Sequence, residues 1–258
     1  MPIIQAVDRA LRILDLFDEQ SPEFKITEIS EHMNLHKSTV HSLLKTLQLH
    51  GYITQNAENG KYKLGLKLVE RGHSVVYGLD IRKIAKPYLI DLSMKTGQTT
   101  HLVILDGREG VYIDKVEGPL AVILYSRIGR RIPIHCSAVG KVLVSFKPKH
   151  EQKKILENYV FTSHTENTIT NKNDFLQELQ DVKQAGYALD NEENEPGVRC
   201  IAVPVRDHTG NVIAAISMST LISRVGDEKL KDLIELLKQT SMDLSSQMGY
   251  GILSSHSP

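Results

Sequence analysis

At 258 residues the chain is too long for one small module and falls in the range of two domains. Its 41% hydrophobic and 24% charged residues are a globular composition, and equal counts of Lys+Arg and Asp+Glu, 31 each, exclude a uniformly basic nucleic-acid-coating protein while leaving room for a basic patch on one domain. Two cysteines, Cys136 and Cys200, are too few for a disulfide scaffold and fit a reducing compartment. The opening MPIIQAVDRA lacks the layout of a secretory signal, and apolar runs such as 121–125 fall far short of the ~20 residues of a membrane span. The expectation is a soluble cytoplasmic protein with no membrane partner.

The first segment has helical spacing, with Val7, Ala10, Leu11, Leu14 and Phe17 forming its apolar face, until Ser21-Pro22 breaks it. A short second helix follows, with Thr27 as its cap, Glu28 in its first turn and Ile29 and Met33 inward. After a tight break at Asn34-Leu35, a third helix spans Lys37 to Leu49 with Val40, Leu43, Leu44 and Leu47 on one face, ending at His50-Gly51. Residues 52–55 and 61–64 then flank a polar turn. Its Asn59-Gly60, both tolerant of positive φ, signals a hairpin. Three short helices and a hairpin are the order of a winged helix-turn-helix.

From Leu66 to Tyr77 the spacing is helical again (Leu66, Val69, His73, Val76), which predicts a connecting helix. The style then changes. A helix carries Ile81, Ile84, Leu89 and Leu92 and closes at Gly97. Strands are expected at 100–105, 110–116, 121–126, 200–206 and 211–219, with Asp106-Gly107 and Thr209-Gly210 as turns. Helices are expected at 138–147, 150–157, 172–185 and 227–247. Strands at both ends with helices between predict an α+β domain with a mainly antiparallel sheet. The expected division is 1–65, a linker helix at 66–78, and 79–258.

Whole-chain neutrality hides a split. Residues 1–33 carry net charge −4, whereas 34–67 carry +4 with three further histidines. The positive half coincides with the third helix and the hairpin, the parts of a winged helix-turn-helix that meet the major groove and adjacent backbone. Opposite its leucines the third helix shows Lys37, Ser38, Thr39, His41, Ser42 and Lys45, and the hairpin adds Lys61 and Lys63. Short hydrogen-bonding groups among cations suit base edges and phosphates. A solvated helix face with ordinary surface lysines is the alternative.

Enzyme motifs do not assemble. Gly140-Lys141 has His135 and Val142 where a phosphate-binding loop needs Gly and Ser or Thr. His32 and His36 have metal-ligand spacing, but the Asn34-Leu35 break separates them, and there is no CxxC or HExxH. A Cys200 nucleophile with His101, His135 or His208 rests on residue types alone. The expectation is no catalytic residue, no metal and no cofactor.

Several stretches together are more specific. Residues 6–14 (AVDRALRIL), 37–41 (KSTVH), 62–65 (YKLG), 132–141 (IPIHCSAVGK) and 197–205 (GVRCIAVPV) resemble, in order along nearly the whole chain, the isocitrate-lyase-regulator (IclR) family of bacterial transcription factors. The resemblance implies a winged helix-turn-helix joined by a helix to a GAF-like domain that binds a small effector, frequently an organic acid. It also implies homodimers, often dimers of dimers, on double-stranded operator DNA. Members repress, activate or do both; repression of a metabolic operon is the reading adopted. Two positions depart from the family pattern: His36 stands where Pro usually precedes Lys-Ser-Thr, and Ser42 where Arg is frequent.

Carried over residue by residue, the resemblance places the effector around Ala121, Leu124, Ala138, Val139, Asp190, Val198, Cys200, Ser217 and Ser219. The chemistry is reasonable: Ala138 and Val139 open a helix whose free amides favour an anion, Ser217 and Ser219 share a strand face, and Ala121, Leu124 and Val198 supply an apolar wall. Arg130 and Arg131 would attract an acid, or stand as surface arginines beside Gly129. Asp190 has a duller reading as part of a solvated acidic loop at 190–195, and Cys200 as a small buried hydrophobe. The runner-up function is a small-molecule sensor or enzyme whose winged helix contacts protein instead of DNA.

Overall fold

The computed structural model describes residues 3–18, 20–77, 80–121 and 126–251. The chain divides into two compact units, 1–78 and 79–258. In the first, α1 (Gln5–Leu14), α2 (Ile26–Met33) and α3 (Lys37–Leu49) precede a hairpin of β1 (Ile53–Gln55) and β2 (Tyr62–Leu64), then α4 (Lys67–Tyr77). Ile13, Ile29, Val40, Leu44 and Ile53 form its core, fully buried. Phe24 exchanges two backbone hydrogen bonds with Tyr62, tying the loop before α2 to the hairpin.

Three local expectations change. On α1, Val7 and Leu11 are not inward but 53% and 56% exposed, and Ile13 is buried instead. The helix carries two apolar stripes, and only the one through Ala10, Ile13 and Leu14 is covered. Thr27 does not cap α2. The cap position is Lys25, whose amide donates to Glu28 Oε2 at 2.6 Å, and Thr27 sits within the first turn. In the hairpin only Gly60 takes a positive φ; Asn59 instead accepts from the Lys61 amide (2.8 Å) and donates to Glu23 (3.0 Å) across a loop closed by Asn56 and Lys61.

The second unit is built on a six-stranded antiparallel sheet. Its elements are α5 (Asp80–Thr96), β3 (Thr99–Asp106), β4 (Glu109–Val116), β5 (Arg131–Pro133), α6 (Ala138–Ser145), α7 (Lys149–Ile155), α8 (Lys172–Ala185), β6 (Ala188–Asn191), β7 (Val198–Arg206), β8 (Val212–Leu221) and α9 (Asp227–Gln247). The strand order is β5-β4-β3-β8-β7-β6. β5 and β6 were not expected: one is three residues with a single aliphatic side chain, the other begins the acidic run. The expected strand at 121–126 falls largely outside the described residues.

Strand alternation separates two cores. Leu102, Ile201, Val203, Ile216 and Met218 face α5 and α9, while Val103, Ala202 and Ala215 face α6, which is backed by α8. A β-bulge in β4 pairs Val103 with Tyr112 and Leu102 with Asp114, so Ile113 is the extra residue. Tyr112 keeps the α6 side it shares with Val103, and the bulge brings Asp114 to the α5 side next to Ile113, where Asp114 bonds Lys86 at 2.9 Å.

Gly140 lets α6 lie against the chain before it: a Cβ there would sit 2.3 Å from Ile134 Cα and 2.7 Å from its carbonyl oxygen. Gly140→Ala should therefore destabilise the second unit by about 3 kcal/mol. Gly72→Ala on α4, where a Cβ meets nothing within 4 Å, should instead be neutral or stabilising. Urea unfolding of the two variants checks the contrast; equal midpoints would refute it.

Candidate nucleic-acid interface and effector cavity

On α3 the residues Lys37, Ser38, His41, Ser42 and Lys45 are exposed and fall on one helical face, with no acidic side chain anywhere on the helix. Thr39 lies off that face and is half-buried. Ser42 Oγ donates to the Ser38 carbonyl at 3.1 Å, so outward it offers only an acceptor. His36 occupies the N-cap with φ −62°, the value a proline ring would impose. Its replacement of Pro thus alters preorganisation and leaves the helix start in place. In the hairpin Lys63 is exposed and Lys61 half-buried. Glu23 lies beside them, its carboxyl held below the usual range by the Asn59 hydrogen bond, with smaller contributions from Asn56 and the two lysine charges.

In the second unit a cavity of about 330 Å³ opens between the start of α6 and the sheet. Of the nine expected effector residues, Ala138, Val139, Asp190, Val198, Cys200, Ser217 and Ser219 border it. Ala121 does not: it sits in a turn after β4, its amide donating to Gly118. Leu124 lies outside the described residues. Tyr112, Ser126, His164 and Asn194 border the cavity without having been singled out, and Arg130 and Arg131 lie at the same site. Tyr112 owes its place to the hairpin register, which sets it opposite Val103 on the α6 side.

Each wall has a physical cause. Ser137 caps α6, accepting from the Gly140 amide at 3.2 Å and donating to the Pro133 carbonyl, which leaves the amides of Ala138 and Val139 at the cavity edge. Ser217 and Ser219, two apart on β8, both reach the floor. Ser219 Oγ meets Cys200 Sγ at 3.1 Å, and Ser217 Oγ meets His101 Nδ1 at 3.4 Å. His101 Nε2 in turn meets Ser126 Oγ at 2.8 Å. Burial drives the His101 pKa down to about 3, helped by Lys115, so the ring is neutral and fixes both hydroxyls as a hydrogen-bonding spacer.

The acidic run is not a solvated loop. Asp190 is 3% exposed, and its Oδ1 accepts from the amides of Glu193 (2.8 Å) and Asn194 (3.3 Å). Beneath it Lys141, fully buried in α6, donates to Glu178 (2.8 Å), the Leu189 carbonyl (2.9 Å) and Glu193 (2.6 Å). Burial pushes the Asp190 carboxyl up to about 7, against its two amide donors and with the Glu193 charge adding to the rise. Burial likewise raises Glu193, opposed by Lys141.

The thiols and histidines nearby do not form a reacting pair. Burial pushes the Cys200 thiol up, Asp190 adding to the effect, and its hydrogen-bond partner is a serine, not a base. Cys136, bonded to Asn194 Oδ1 at 3.5 Å, is pushed up to about 12 by burial. His135, Cys136 and His164 bring ligand atoms within 4.8 Å of one another. However, His135 uses Nδ1 on Tyr159 (2.9 Å) and Nε2 on the Thr162 carbonyl (2.9 Å), which leaves no free ring nitrogen for a cation.

A carboxyl whose folded pKa is raised adds stability below its unfolded value and loses it as pH rises through the folded one. Relative to Asp190→Asn, the wild type should therefore gain stability as pH falls from about 7 toward 4, by roughly 1 kcal/mol per pH unit at most. Thermal melts across that range measure the difference; parallel curves would contradict it.

Known proteins give this geometry its setting. Residues 6–57 match the IclR helix-turn-helix domain and residues 73–246 match the bacterial transcriptional regulator IclR C-terminal domain. The HTH-type transcriptional regulator XynR of Escherichia coli (strain K12) is 60% identical over 250 residues, 97% of this chain and 99% of that protein. KdgR of the same organism is 40% identical over 247 residues, 96% and 94% of the two chains. The crystal structure of Thermotoga maritima IclR superposes with a TM-score of 0.77 at 35% identity, covering 96% of this chain and all of that one. A helix-turn-helix unit followed by an antiparallel-sheet unit with a cavity beside α6, matched over nearly its full length, places the chain in the IclR family of bacterial transcriptional regulators.

Proposed function

We propose that this regulator is a repressor of a metabolic operon that binds a palindromic operator as a homodimer, and that a small organic acid in the α6–sheet cavity sets its hold on DNA. In this reading residues 1–65 read DNA, 66–78 connect, and 79–258 hold the effector, with no catalytic step. The carrying observation is the exposed face of α3, which presents two lysines, two serines and a histidine with no acid among them. Lys37, Lys45, Lys61 and Lys63 take phosphates, while Ser38, His41 and Ser42 meet base edges or backbone.

The organic-acid reading rests on donors at the cavity. The amides of Ala138 and Val139, the hydroxyls of Ser217 and Ser219 and the side chain of Arg130 border one space, while the guanidinium of Arg131, at the same rim, is paired with Asp106 and Glu109. Asp190 next to them carries a raised pKa, which lets a carboxylate ligand approach without full like-charge repulsion. The effector shifts the regulator between DNA-competent and DNA-incompetent arrangements only by the difference in its affinity for the two.

Footprinting on the DNA upstream of its own gene tests the function. Protection should cover half-sites about 34 Å apart or a multiple of that. Lys37→Ala with Lys45→Ala should weaken binding and lower the salt slope by about 0.9 for each phosphate that is no longer neutralised. An unchanged slope would remove α3 from the DNA face.

The homodimer reading rests on the second stripe of α1, where Ile4, Val7 and Leu11 are 70%, 53% and 56% exposed, and on Leu66 and Val69 at the start of α4, 83% and 67% exposed. Apolar residues at this spacing are a helix-pairing face. Leu11→Glu should shift the protein toward monomer in sedimentation and cut operator affinity in step, with the core of the first unit intact. A variant that stays dimeric would move the interface elsewhere.

A further inference from the structure

Away from the effector cavity, α7 and α8 enclose an open groove of about 480 Å³. Its floor is apolar: Leu156 and Leu179 are buried and Leu176 half-buried. Its rim is cationic, with Lys147, Lys149, Lys153, Lys172 and Lys183 around the opening and no acidic side chain bordering it. Lys147 approaches Glu151 at 3.9 Å; among the described residues Lys149, Lys153, Lys172 and Lys183 have no ion-pair partner. The other acids of α8 are engaged elsewhere: Asp174 with Asn171 (2.7 Å), Glu178 with Lys141 (2.8 Å) and Asp181 with Gln177 (3.1 Å).

Four lysines left unpaired around leucines repel one another and add nothing to the fold of a chain whose formal net charge is zero. The spacing on α8 defines what fits. Lys172, Leu176, Leu179, Gln180 and Lys183 run along one face for three turns, roughly 16 Å at 1.5 Å per residue. A helix laid into such a groove would meet leucines along its centre and ammonium groups on both sides.

We propose that the α7–α8 groove is a docking surface for an acidic amphipathic helix of a protein partner, distinct from both the effector cavity and the DNA-reading face. Nucleic acid is the lesser fit, because a phosphate backbone needs the lysines but not the apolar floor.

The test uses the full-length protein and a labelled synthetic helical peptide of about 14 residues with a leucine stripe flanked by glutamates, read by fluorescence anisotropy at low and high salt. The expected result is saturable binding that weakens with salt and falls about tenfold or more in a Lys153→Glu, Lys172→Glu, Lys183→Glu variant that keeps the native circular-dichroism spectrum. Leu176→Ser should also weaken it, without changing its salt slope. Absence of binding, or binding untouched by charge reversal, overturns the proposal. So does equal binding by a scrambled peptide of the same charge, or displacement of the peptide by a mixed-sequence DNA duplex, either of which reduces the groove to a charge patch. A change in the variant's sedimentation would make the groove a contact between copies of this chain and overturn it as well.

Discussion

The second unit depends on one buried ammonium. Lys141 has its three donors on a side chain of α8, a side chain of the turn after β6 and a backbone carbonyl of β6, all 2.6 to 2.9 Å away. An ammonium in a dry interior is tolerable only with such complete pairing, and removal of a single partner leaves a charge uncompensated. The same ammonium bears on the carboxyls around it. Burial raises both Glu193 and Asp190, and Lys141 opposes the rise at each. At Asp190 burial outweighs the two amide donors and the ammonium together, and the carboxyl stands at about 7. The wall of the cavity is therefore held in place by a residue that does not itself border it.

The first unit follows another logic, since the α3 face proposed to meet DNA is exposed. The buried side of α3 is the regular set Val40, Leu44 and Leu47, and everything opposite is free to be chosen for recognition. Ser42 and Thr46 bend their hydroxyls back onto carbonyls one turn earlier, at 3.1 and 3.0 Å, so the outward donors are concentrated on Lys37, Ser38, His41 and Lys45. Where the family resemblance leads one to expect an arginine, Ser42 offers a short acceptor. That substitution changes which base edges or phosphates are within reach more than it changes how the helix is held.

Legibility in the sequence tracked the length and regularity of each element. α3, α8 and α9 have the boundaries that their apolar spacing and flanking glycines or polar caps define, because helix periodicity survives over 13 to 21 residues. β5 and β6, three and four residues long, carry no such signal and exist because longer neighbours offer them a ladder. Burial was harder to read than type. The face expected on α1 mixes two stripes: Ala10, Leu14 and Phe17 are covered, but Val7 and Leu11 belong to the exposed one and Ile13 takes the buried place, since a helix with two apolar faces does not say which is covered. The acidic run at 190–195 looks solvated until Lys141, some fifty residues earlier, is placed under it. Seven of the cavity residues are reachable through a resemblance of motifs, whereas Tyr112 requires knowing which face of β4 meets α6, and Ser126 its contact with His101.

The two cysteines of the second unit carry a final consequence. Cys200 borders the cavity and Cys136 lies one residue before the α6 cap, positions where a reactive sulfur would turn a metabolite receptor into a detector of oxidants. Both are held as thiols by burial. At about 12, the Cys136 pKa leaves a thiolate fraction on the order of 10⁻⁵ at neutral pH, against a few per cent for a free cysteine. Peroxide and disulfide exchange act on the thiolate, so these sulfurs are chemically quiet. On the proposed reading, thiol chemistry beside the cavity does not compete with effector binding.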